Sequence, residues 1–349
     1  MRKCRERGVL VKYVYIDSGT TNSRLYLVED GKVVSVKVKE VGTVDNVTGS
    51  DSRKLEKCLK EAYDEMTGEE GLTDRDIDGI FMSGMATSKN GICEVDFLPV
   101  PLSIRQYADG IHMYETPCFN REVGFLTGIV DCPKEKGNLD NVEDFHNVRG
   151  EEIELFGIME EREDLFLGKR TAVIMPGSHT HILYAEDCRI TGITSCMGGE
   201  MYKAMAGDTI LKASVSLRPQ QLCPEAIAKG YRMTVEKGVN RALYITRTLD
   251  LFTRESRIVR DSYLEGVVNA GIVTALKERP GAGELDVAVI AGDRVYHEIF
   301  GTLIKSAGLT VPVAGIEAEP GRSFALSGFL HVMKNGSLWE EGILKLPVQ

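Results

Sequence analysis

VKYVYIDSGTTNSRLYLV, at residues 11–28, consists of an apolar run, a turn of small polar residues and a second apolar run. The two runs have strand character, and the turn formers Asp, Gly, Thr and Asn separate them. A second turn, EDG at residues 29–31, leads into a third strand-like run at 32–41. The sequence therefore predicts that the chain opens with three antiparallel strands.

TAVIMPGSHTHILYA, at residues 171–185, repeats this pattern with PGSH as its turn, and a third strand is predicted at 189–194. A charged stretch at 160–170 precedes the repeat. Because 349 residues exceed what one hydrophobic core usually serves, two domains are expected. We predict an N-terminal lobe over 1–160 and a C-terminal lobe over 161–349.

Helices and further strands are predicted to follow each meander. Apolar spacing predicts a helix at 52–66, and short apolar runs predict strands at 77–82, 125–130, 287–290 and 311–313. Further helices are predicted at 148–159 and 321–333, and most of 199–278 has helical character. The fold class is therefore α/β, with two lobes that each carry a mixed sheet, flanked by helices, around a ligand cleft. Duplicated lobes of this kind are typical of the actin-like (ribonuclease H-like) architecture, which holds nucleotide phosphates between its two hairpins.

Composition narrows the classes of function. A net charge of −10 works against binding to nucleic acid or to anionic membranes. The sequence contains no apolar run of membrane-spanning length, and its eight cysteines show no Cys-x-x-Cys pattern. Free thiols in a reducing compartment are the simplest account, so we expect a cytoplasmic protein. The choice between a monomer and a homodimer stays open.

The first glycine turn is a candidate phosphate-binding loop. Glycine allows successive N–H groups to face a phosphate, hydroxyl groups add donors, and an aspartate at the end of a strand can hold Mg²⁺. This interpretation assigns Asp17 to the metal and the following residues to the phosphates: Gly19, Thr20, Thr21 and Asn22. The alternative is an ordinary hairpin turn, because the same residue types form turns without any ligand.

The second glycine turn is the matching candidate. Gly177, Ser178 and His179 can hold the β- and γ-phosphates from the other lobe. His179 and His181 alone do not predict a zinc site, because no third ligand is in sight. Three other glycines sit at weaker turn signals that could border a nucleotide: Gly198, Gly199 and Gly292.

The run HNVRGEE, at residues 146–152, is the candidate for proton transfer. Glu151 and Glu152 are rival general bases at the predicted start of a helix, and Arg149 beside them could hold an anion. The alternative is that both carboxylates only complement the helix dipole at the surface.

Taken together, these segments resemble the 2-dehydro-3-deoxygalactonokinase family. The resemblance extends from residue 13 to about residue 330 and is most specific in RGEE at 149–152 and PGSH at 176–179. It also includes MSGM at 82–85, LPVP at 98–101 and AG at 291–292.

The resemblance implies an ATP- and Mg²⁺-dependent kinase that phosphorylates 2-dehydro-3-deoxy-D-galactonate at O6. It implies that Glu151 or Glu152 is the base and that Arg149 meets the substrate carboxylate or the transferred phosphoryl group. The sugar pocket would then be shaped by Ser83, Gly84, Met85 and Pro99.

Two alternatives stay open from the sequence. The same fold could phosphorylate another sugar acid or a hexose, or it could serve as a sugar-sensing regulator or a nucleotide-dependent assembly protein. The sequence shows neither a helix-turn-helix segment nor a basic patch, which argues against the regulator.

Overall fold

The structure, a computed structural model, describes residues 11–48, 51, 53–319 and 321–336. Their contacts divide the chain into two units. The first unit runs to Glu163 and resumes at Gly321, whereas the second begins at Asp164. The change of unit thus falls inside the charged stretch at 160–170. The C-terminal segment, which the sequence-based division placed in the second lobe, groups with the first unit.

The first unit alternates strands and helices. Its strands are β1 (Lys12–Ser18), β2 (Ser23–Glu29), β3 (Lys32–Lys39), β4 (Gly79–Gly84), β5 (Leu98–Pro99), β6 (His112–Thr116), β7 (Arg121–Phe125), β8 (Ile129–Asp131) and β9 (His146–Val148). Its helices up to the change of unit are α1 (Thr43–Thr48), α2 (Lys54–Glu69), α3 (Ile104–Asp109) and α4 (Glu151–Glu161).

The main sheet of the first unit has the strand order β3-β2-β1-β4-β7-β6 among the described residues. The meander β1–β3 is antiparallel, and β4 pairs with β1 in parallel. Leu55, Leu59 and Tyr63 of α2 are buried against Val14 and Ile16 of β1. The sheet therefore presents the carboxyl ends of β1 and β4 side by side, where α/β folds place ligands.

The second unit begins with the other meander. Its strands are β10 (Arg170–Pro176), β11 (His179–Glu186), β12 (Arg189–Met197), β13 (Val287–Ala291) and β14 (Val313–Ile316). Its helices are α5 (Gly199–Asp208), α6 (Pro224–Lys237), α7 (Val239–Phe252), α8 (Arg257–Val268), α9 (Ala270–Glu278) and α10 (Arg294–Ser306).

The second sheet repeats the plan of the first. Its described strands follow the order β12-β11-β10-β13-β14, with an antiparallel meander and β13 parallel to β10. Ile174 and Ile290 are fully buried in the core between this sheet and its helices. Both units therefore have the predicted mixed sheet with a meander at its head.

The last helix, α11 (Phe324–Asn335), packs against α4 in the first unit. The two helices cross at glycines: a Cβ on Gly157 would overlap the carbonyl oxygen of Phe324, and one on Gly328 would overlap that of Ile153. Only glycine permits backbones this close. The contact holds α4, whose first residue is Glu151, against the rest of the unit.

Several predicted boundaries shift in the structure. The helix predicted from residue 148 starts at Glu151, because 146–148 form β9 and pair with β8. The strand predicted at 125–130 is two strands, β7 and β8, separated by residues 126–128. The strand predicted at 311–313 lies at Val313–Ile316. The predicted helix at 52–66 corresponds to α2, although residue 52 lies outside the described residues.

No helix within the described ranges is both long and apolar enough to cross a membrane.

Candidate active site

Asp17 lies at the carboxyl end of β1, paired with Arg24 across the hairpin and with Ser83 of β4. Within the described ranges its carboxylate accepts no hydrogen bond. Burial raises the pKa of Asp17, the charge of Arg24 opposes this rise, and the charge of Glu151 adds to it. Asp17 is thus a partly buried carboxylate whose oxygens can accept an external donor or cation.

The turn after Asp17 directs its carbonyl groups inward. The first N–H groups of α1 donate to it: Thr43 N–H to Gly19 O at 3.4 Å and Val44 N–H to Thr20 O at 3.1 Å. The side chains of Thr20, Thr21 and Asn22 are exposed. In the described part of the chain, the N–H groups of these three residues donate to no backbone carbonyl. The turn therefore offers unpaired backbone donors, as an anion-binding loop requires.

The second turn has the same arrangement. Gly199 N–H donates to Gly177 O at 3.1 Å, and Glu200 N–H donates to Ser178 O at 2.8 Å. These are the first two residues of α5. A Cβ on Gly199 would overlap the Gly177 carbonyl, and one on Gly198 would overlap the Thr180 hydroxyl. The two glycines therefore allow α5 to approach the turn closely.

The two histidines near this turn have separate partners. His179 Nε2 lies 3.3 Å from Glu200 Oε2, and His181 Nδ1 lies 3.1 Å from Ser195 Oγ. Among the described residues, no group of three His, Cys, Asp or Glu side chains could hold a metal ion. Each histidine thus has a partner within its own unit, and contact of His179 with a phosphate stays a prediction.

Gly292 lies in the second unit between β13 and α10. Its φ of +152° favours glycine, and a Cβ there would lie 3.1 Å from the Tyr296 ring. Asp293 caps α10 by accepting from the N–H groups of Val295 and Tyr296 at 2.9 and 3.2 Å. An aromatic ring, that of Tyr296, thus lies beside Gly292, and a place for Gly292 at the border of a nucleotide stays a prediction.

The start of α4 lies against the ends of β1 and β4. Gly84 has a φ of +68°, and a Cβ there would lie 2.5 Å from Ser18 O. Gly150 has a φ of +125°, and a Cβ there would lie 3.6 Å from Gly84 Cα. These close approaches bring Glu151, the first residue of α4, into electrostatic range of Asp17. Glu151 is half-exposed and accepts from Arg149 N–H at 3.2 Å.

Glu152 occupies a different environment from its neighbour. It is fully buried; its Oε2 accepts from Gly150 N–H at 2.7 Å, and its Oε1 lies 3.2 Å from the Tyr107 hydroxyl. Burial raises its pKa to about 8, with a further contribution from the charge of Glu151. Of the two rival carboxylates, Glu151 alone reaches the surface.

Arg149 binds the loop that follows β4. Its Nη1 donates to Thr87 O at 2.6 Å and to Thr87 Oγ1 at 2.5 Å, and its Nη2 donates to Val95 O at 3.1 Å. The guanidinium also lies over the Phe97 ring, 4.1 Å from its centroid. Most of its donors are therefore directed at the protein.

The predicted sugar-pocket residues have different surroundings. Ser83 is buried, and its hydroxyl lies 2.7 Å from that of Tyr15. Met85 is half-buried at the start of a short 3₁₀ turn, whereas Pro99 is exposed in β5. Ser83 is the strand partner of Asp17, and a Cβ on Gly84 would lie 3.7 Å from Asp17 Oδ1.

Glu154 is a further member of this site and stands outside the motifs named above. Burial is the largest cause that raises the pKa of Glu154 to about 8. The negative charges of Asp17, Glu151 and Glu152 raise this pKa further, and the positive charge of Arg24 lowers it. Its position three residues after Glu151 places both on one face of α4. That spacing is a signal that could have identified it.

A family model described as 2-keto-3-deoxy-galactonokinase matches residues 17–321. The 2-dehydro-3-deoxygalactonokinase of Escherichia coli K12 is 24% identical over 306 residues, which cover 86% of this chain and 87% of that protein. A Rhizobium meliloti protein named as a probable 2-dehydro-3-deoxygalactonokinase is 23% identical over 305 residues, covering 86% of this chain and 90% of the relative.

The fold also matches a solved structure. A Sinorhizobium meliloti protein described as a 2-dehydro-3-deoxygalactonokinase superposes with a TM-score of 0.69 at 21% identity, over 93% of this chain and 98% of that one. This likeness concerns the fold. Together with the two meander-headed mixed sheets, it confirms the predicted α/β fold class.

Proposed function

Because the chain belongs to the 2-keto-3-deoxy-galactonokinase family, we propose that it transfers the γ-phosphoryl group of ATP to O6 of 2-dehydro-3-deoxy-D-galactonate. The protein is a phosphotransferase with an alcohol group as acceptor, and ATP is a substrate of this family of kinases. The position of the phosphorylated hydroxyl and a place in galactonate catabolism are our proposals.

The observation that carries the proposal is that Asp17, near the end of β1, and Glu151, the first residue of α4, lie within electrostatic range of each other. One carboxylate accepts no hydrogen bond from the described residues, and the other is half-exposed at the start of α4. A kinase requires one carboxylate near the metal-bound phosphates and one near the attacking hydroxyl. This pair provides both.

We propose that Asp17 holds Mg²⁺, directly or through water. Mg²⁺ prefers carboxylate and water oxygens, and Asp17 offers such oxygens next to a turn with unpaired N–H donors. The ion would neutralise charge on the phosphates. The pairing of β1 with β2 and β4 would keep the carboxylate of Asp17 oriented.

Glu151 is the proposed general base. It would accept the proton of the attacking hydroxyl while the new oxygen–phosphorus bond forms and the bond from the γ-phosphorus to the β,γ-bridging oxygen breaks, which releases ADP. Phosphoryl transfer requires little covalent chemistry from a protein, so positioning and charge stabilisation provide most of the rate. The unpaired N–H groups of Thr20 and Thr21 would provide part of this charge stabilisation.

Arg149 and Arg24 divide the cationic roles in this proposal. The sequence predicts that Arg149 meets the substrate carboxylate or the transferred phosphoryl group, but its bonds to Thr87 and Val95 favour a role in holding the loop after β4. The side chain of Arg24 is exposed and lies across the hairpin from Asp17. We therefore assign the anion contact to Arg24 as well as to the remaining donors of Arg149.

A substrate panel tests the proposal. ADP release in a coupled assay would be measured with keto-deoxy sugar acids, aldonates and free hexoses, and phosphorus–proton correlation NMR would locate the phosphate on the product. We expect the keto-deoxy galactonate to have the highest kcat/KM and the product to be phosphorylated at O6. A hexose with the highest kcat/KM would contradict the proposed substrate, and sugar-independent turnover would contradict the kinase assignment.

Two variants test the site within this function. Asp17→Asn and Glu151→Gln should each lower kcat by about 10²–10⁴-fold, since the loss of a positioned acid–base or charge-stabilising group has this effect. Glu143→Gln, at an exposed glutamate on a 3₁₀ turn, is the matched control and should retain wild-type kcat. Wild-type activity in Glu151→Gln would reject the base assignment.

We also propose a cytoplasmic enzyme without a nucleic-acid partner. ATP supply requires an intracellular compartment, and a net charge of −10 disfavours a polyanionic partner. Sedimentation analysis of the purified protein would decide between a monomer and a homodimer.

A further inference from the structure

Glu152 is a buried carboxyl group that the proposed phosphoryl transfer does not use. Its side chain is 0% exposed, beside the half-exposed Glu151. Its two oxygens have different partners: the N–H of Gly150 and the hydroxyl of Tyr107. Tyr107, on α3, is itself buried.

The single hydroxyl hydrogen of Tyr107 bears on the protonation state of Glu152. The Tyr107 hydroxyl lies 2.7 Å from Thr127 O and 3.2 Å from Glu152 Oε1. A carbonyl oxygen only accepts, so the shorter contact takes the one hydrogen of Tyr107. With that hydrogen on the Thr127 carbonyl, the longer contact is a hydrogen bond only when Glu152 donates. An ionised carboxylate cannot donate, whereas a neutral carboxylic acid can.

The charged and titratable surroundings agree with a neutral group. Glu151 on α4 adds negative charge near Glu152, whereas Glu154 on the same helix interacts with it but has, like Glu152, a pKa raised to about 8. Tyr15 on β1 and Tyr107 on α3 face it as neutral phenols, and burial raises the pKa of each. Arg149 is the cation that interacts with it, but its donors are directed at Thr87 and Val95. Burial is the largest cause of the raised pKa of Glu152, which is about 8.

We propose that Glu152 is a neutral carboxylic acid in the resting enzyme and a positioning residue for Glu151. Its Oε2 accepts from Gly150 N–H and so fixes the φ of +125° at the residue before α4. Its Oε1–H donates to Tyr107, which ties this corner to α3 and to the Thr127 carbonyl. Gly150 and Glu151 are thereby held beside Gly84 and Asp17.

Only the expected effect of Glu152 on the catalytic rate rests on the proposed kinase function. Ionisation of Glu152 would remove the hydrogen that it donates to Tyr107 and would add a second negative charge next to Glu151. That charge would repel both anionic substrates, and the start of α4 would lose its anchor on α3. The enzyme would therefore lose activity as the pH rises through the pKa of Glu152.

Infrared difference spectroscopy tests the protonation state without any assay of activity. At pH 7 the wild-type protein should show the C=O band of a protonated carboxylic acid that Glu152→Gln lacks, and this band should disappear above about pH 8. Tyr107→Phe removes the acceptor of the proposed bond, so it should shift the same band to higher frequency. A wild-type spectrum that equals that of Glu152→Gln at pH 7 would overturn the proposal.

Kinetics separate positioning from a purely structural role. Glu152→Ala should lower kcat by about 10-fold or more with a smaller change in the KM for ATP. Glu152→Gln, a neutral isostere that can still accept from Gly150 and donate to Tyr107, should restore most of kcat at pH 7 and should shift the alkaline fall in kcat to higher pH. Glu143→Gln is the control for a glutamate at the surface.

These experiments distinguish failure of the inference about Glu152 from failure of the proposed kinase function. If Glu152→Gln is as inactive as Glu151→Gln at pH 7, the enzyme needs the charge of Glu152 and the proposal is wrong. If the wild-type protein phosphorylates no sugar acid, the proposed function fails, while the infrared titration still decides whether Glu152 carries its proton.

Discussion

The backbone N–H of Glu200 donates to the carbonyl oxygen of Ser178 at 2.8 Å, which joins the start of α5 to the second glycine turn. The first unit has the same bond, from Val44 N–H to Thr20 O at 3.1 Å. Two turns with different sequences, DSGTTN and PGSH, thus direct their carbonyl groups at the helix that follows the meander. The sequence predicts that both turns bind one triphosphate, and this stays a prediction.

Gly199→Ala should weaken ATP binding. The added methyl group would overlap the Gly177 carbonyl, so either α5 or the turn must move. We expect the KM for ATP to rise about 10-fold and the unfolding free energy to fall by about 1–3 kcal/mol, as for other overpacked sites. ATP titration in the coupled assay and thermal unfolding measure the two effects.

Gly271→Ala is the matched control for this variant. Gly271 lies in α9 of the same unit, and a Cβ there would meet no atom within 4 Å. Alanine in this helix should raise stability by roughly 0.5–1 kcal/mol without a change in the KM for ATP. An unchanged KM in Gly199→Ala would show that the approach of α5 does not shape the nucleotide site.

Local chemistry explains which parts of the fold the sequence predicts. The meanders follow from apolar runs and glycine turns, and both are present as β1–β3 and β10–β12. The predicted helix at 148–159 began too early because the pairing of Val148 with Ile129 depends on a residue far away in sequence. The grouping of α11 with the first unit depends on glycines 157 and 328, whose contact no local pattern reveals.

The candidate site, like the fold, has features that local sequence predicts and features that depend on distant contacts. Asp17 and Glu151 stand in motifs that the sequence marks, and the structure brings them within electrostatic range of each other. The sequence could not separate Glu151 from Glu152, because the difference is burial against Tyr107 on another helix. It also could not show that Arg149 binds carbonyl groups of the loop after β4.

Arg149→Lys should loosen the loop after β4. Lysine cannot donate to Thr87 and Val95 at once with a planar fork, and it loses the stacking on Phe97. We expect the KM for the sugar acid to rise about 10-fold, together with a fall in kcat and a loss of about 1–3 kcal/mol in unfolding free energy. Arg105→Lys, at an exposed arginine on α3, is the control and should change neither constant. A change in kcat alone would instead favour contact with the transferred phosphoryl group.

Gly157→Ala should destabilise the first unit at the crossing of α4 and α11. The methyl group would overlap the Phe324 carbonyl, so the helices must separate, at a cost of about 1–3 kcal/mol or more. Gly68→Ala in α2 is the matched control, because a Cβ there meets nothing within 4 Å and should stabilise by roughly 0.5–1 kcal/mol. Denaturant unfolding of both variants measures the difference. Equal stability of the two would mean that α11 does not depend on this close approach.

Glu265→Gln should stabilise the second unit at neutral and alkaline pH. Burial raises the pKa of Glu265 from 4.5 to about 7, and the hydrogen bond from Asn269 Nδ2 at 2.8 Å only partly opposes this rise. Because the folded pKa exceeds the unfolded value, the ionised form disfavours folding. The destabilisation is absent below pH 4.5, grows between pH 4.5 and 7, and is complete above pH 7, where it is on the order of 3 kcal/mol.

Glutamine at position 265 is neutral at every pH and can still accept from Asn269. The unfolding midpoint of Glu265→Gln minus that of the wild type should therefore rise from pH 5 to about pH 8 and then level off. Glu255→Gln, at an exposed position between α7 and α8, should give a flat difference. A flat difference for Glu265→Gln as well would show that Glu265 titrates as it does in the unfolded chain.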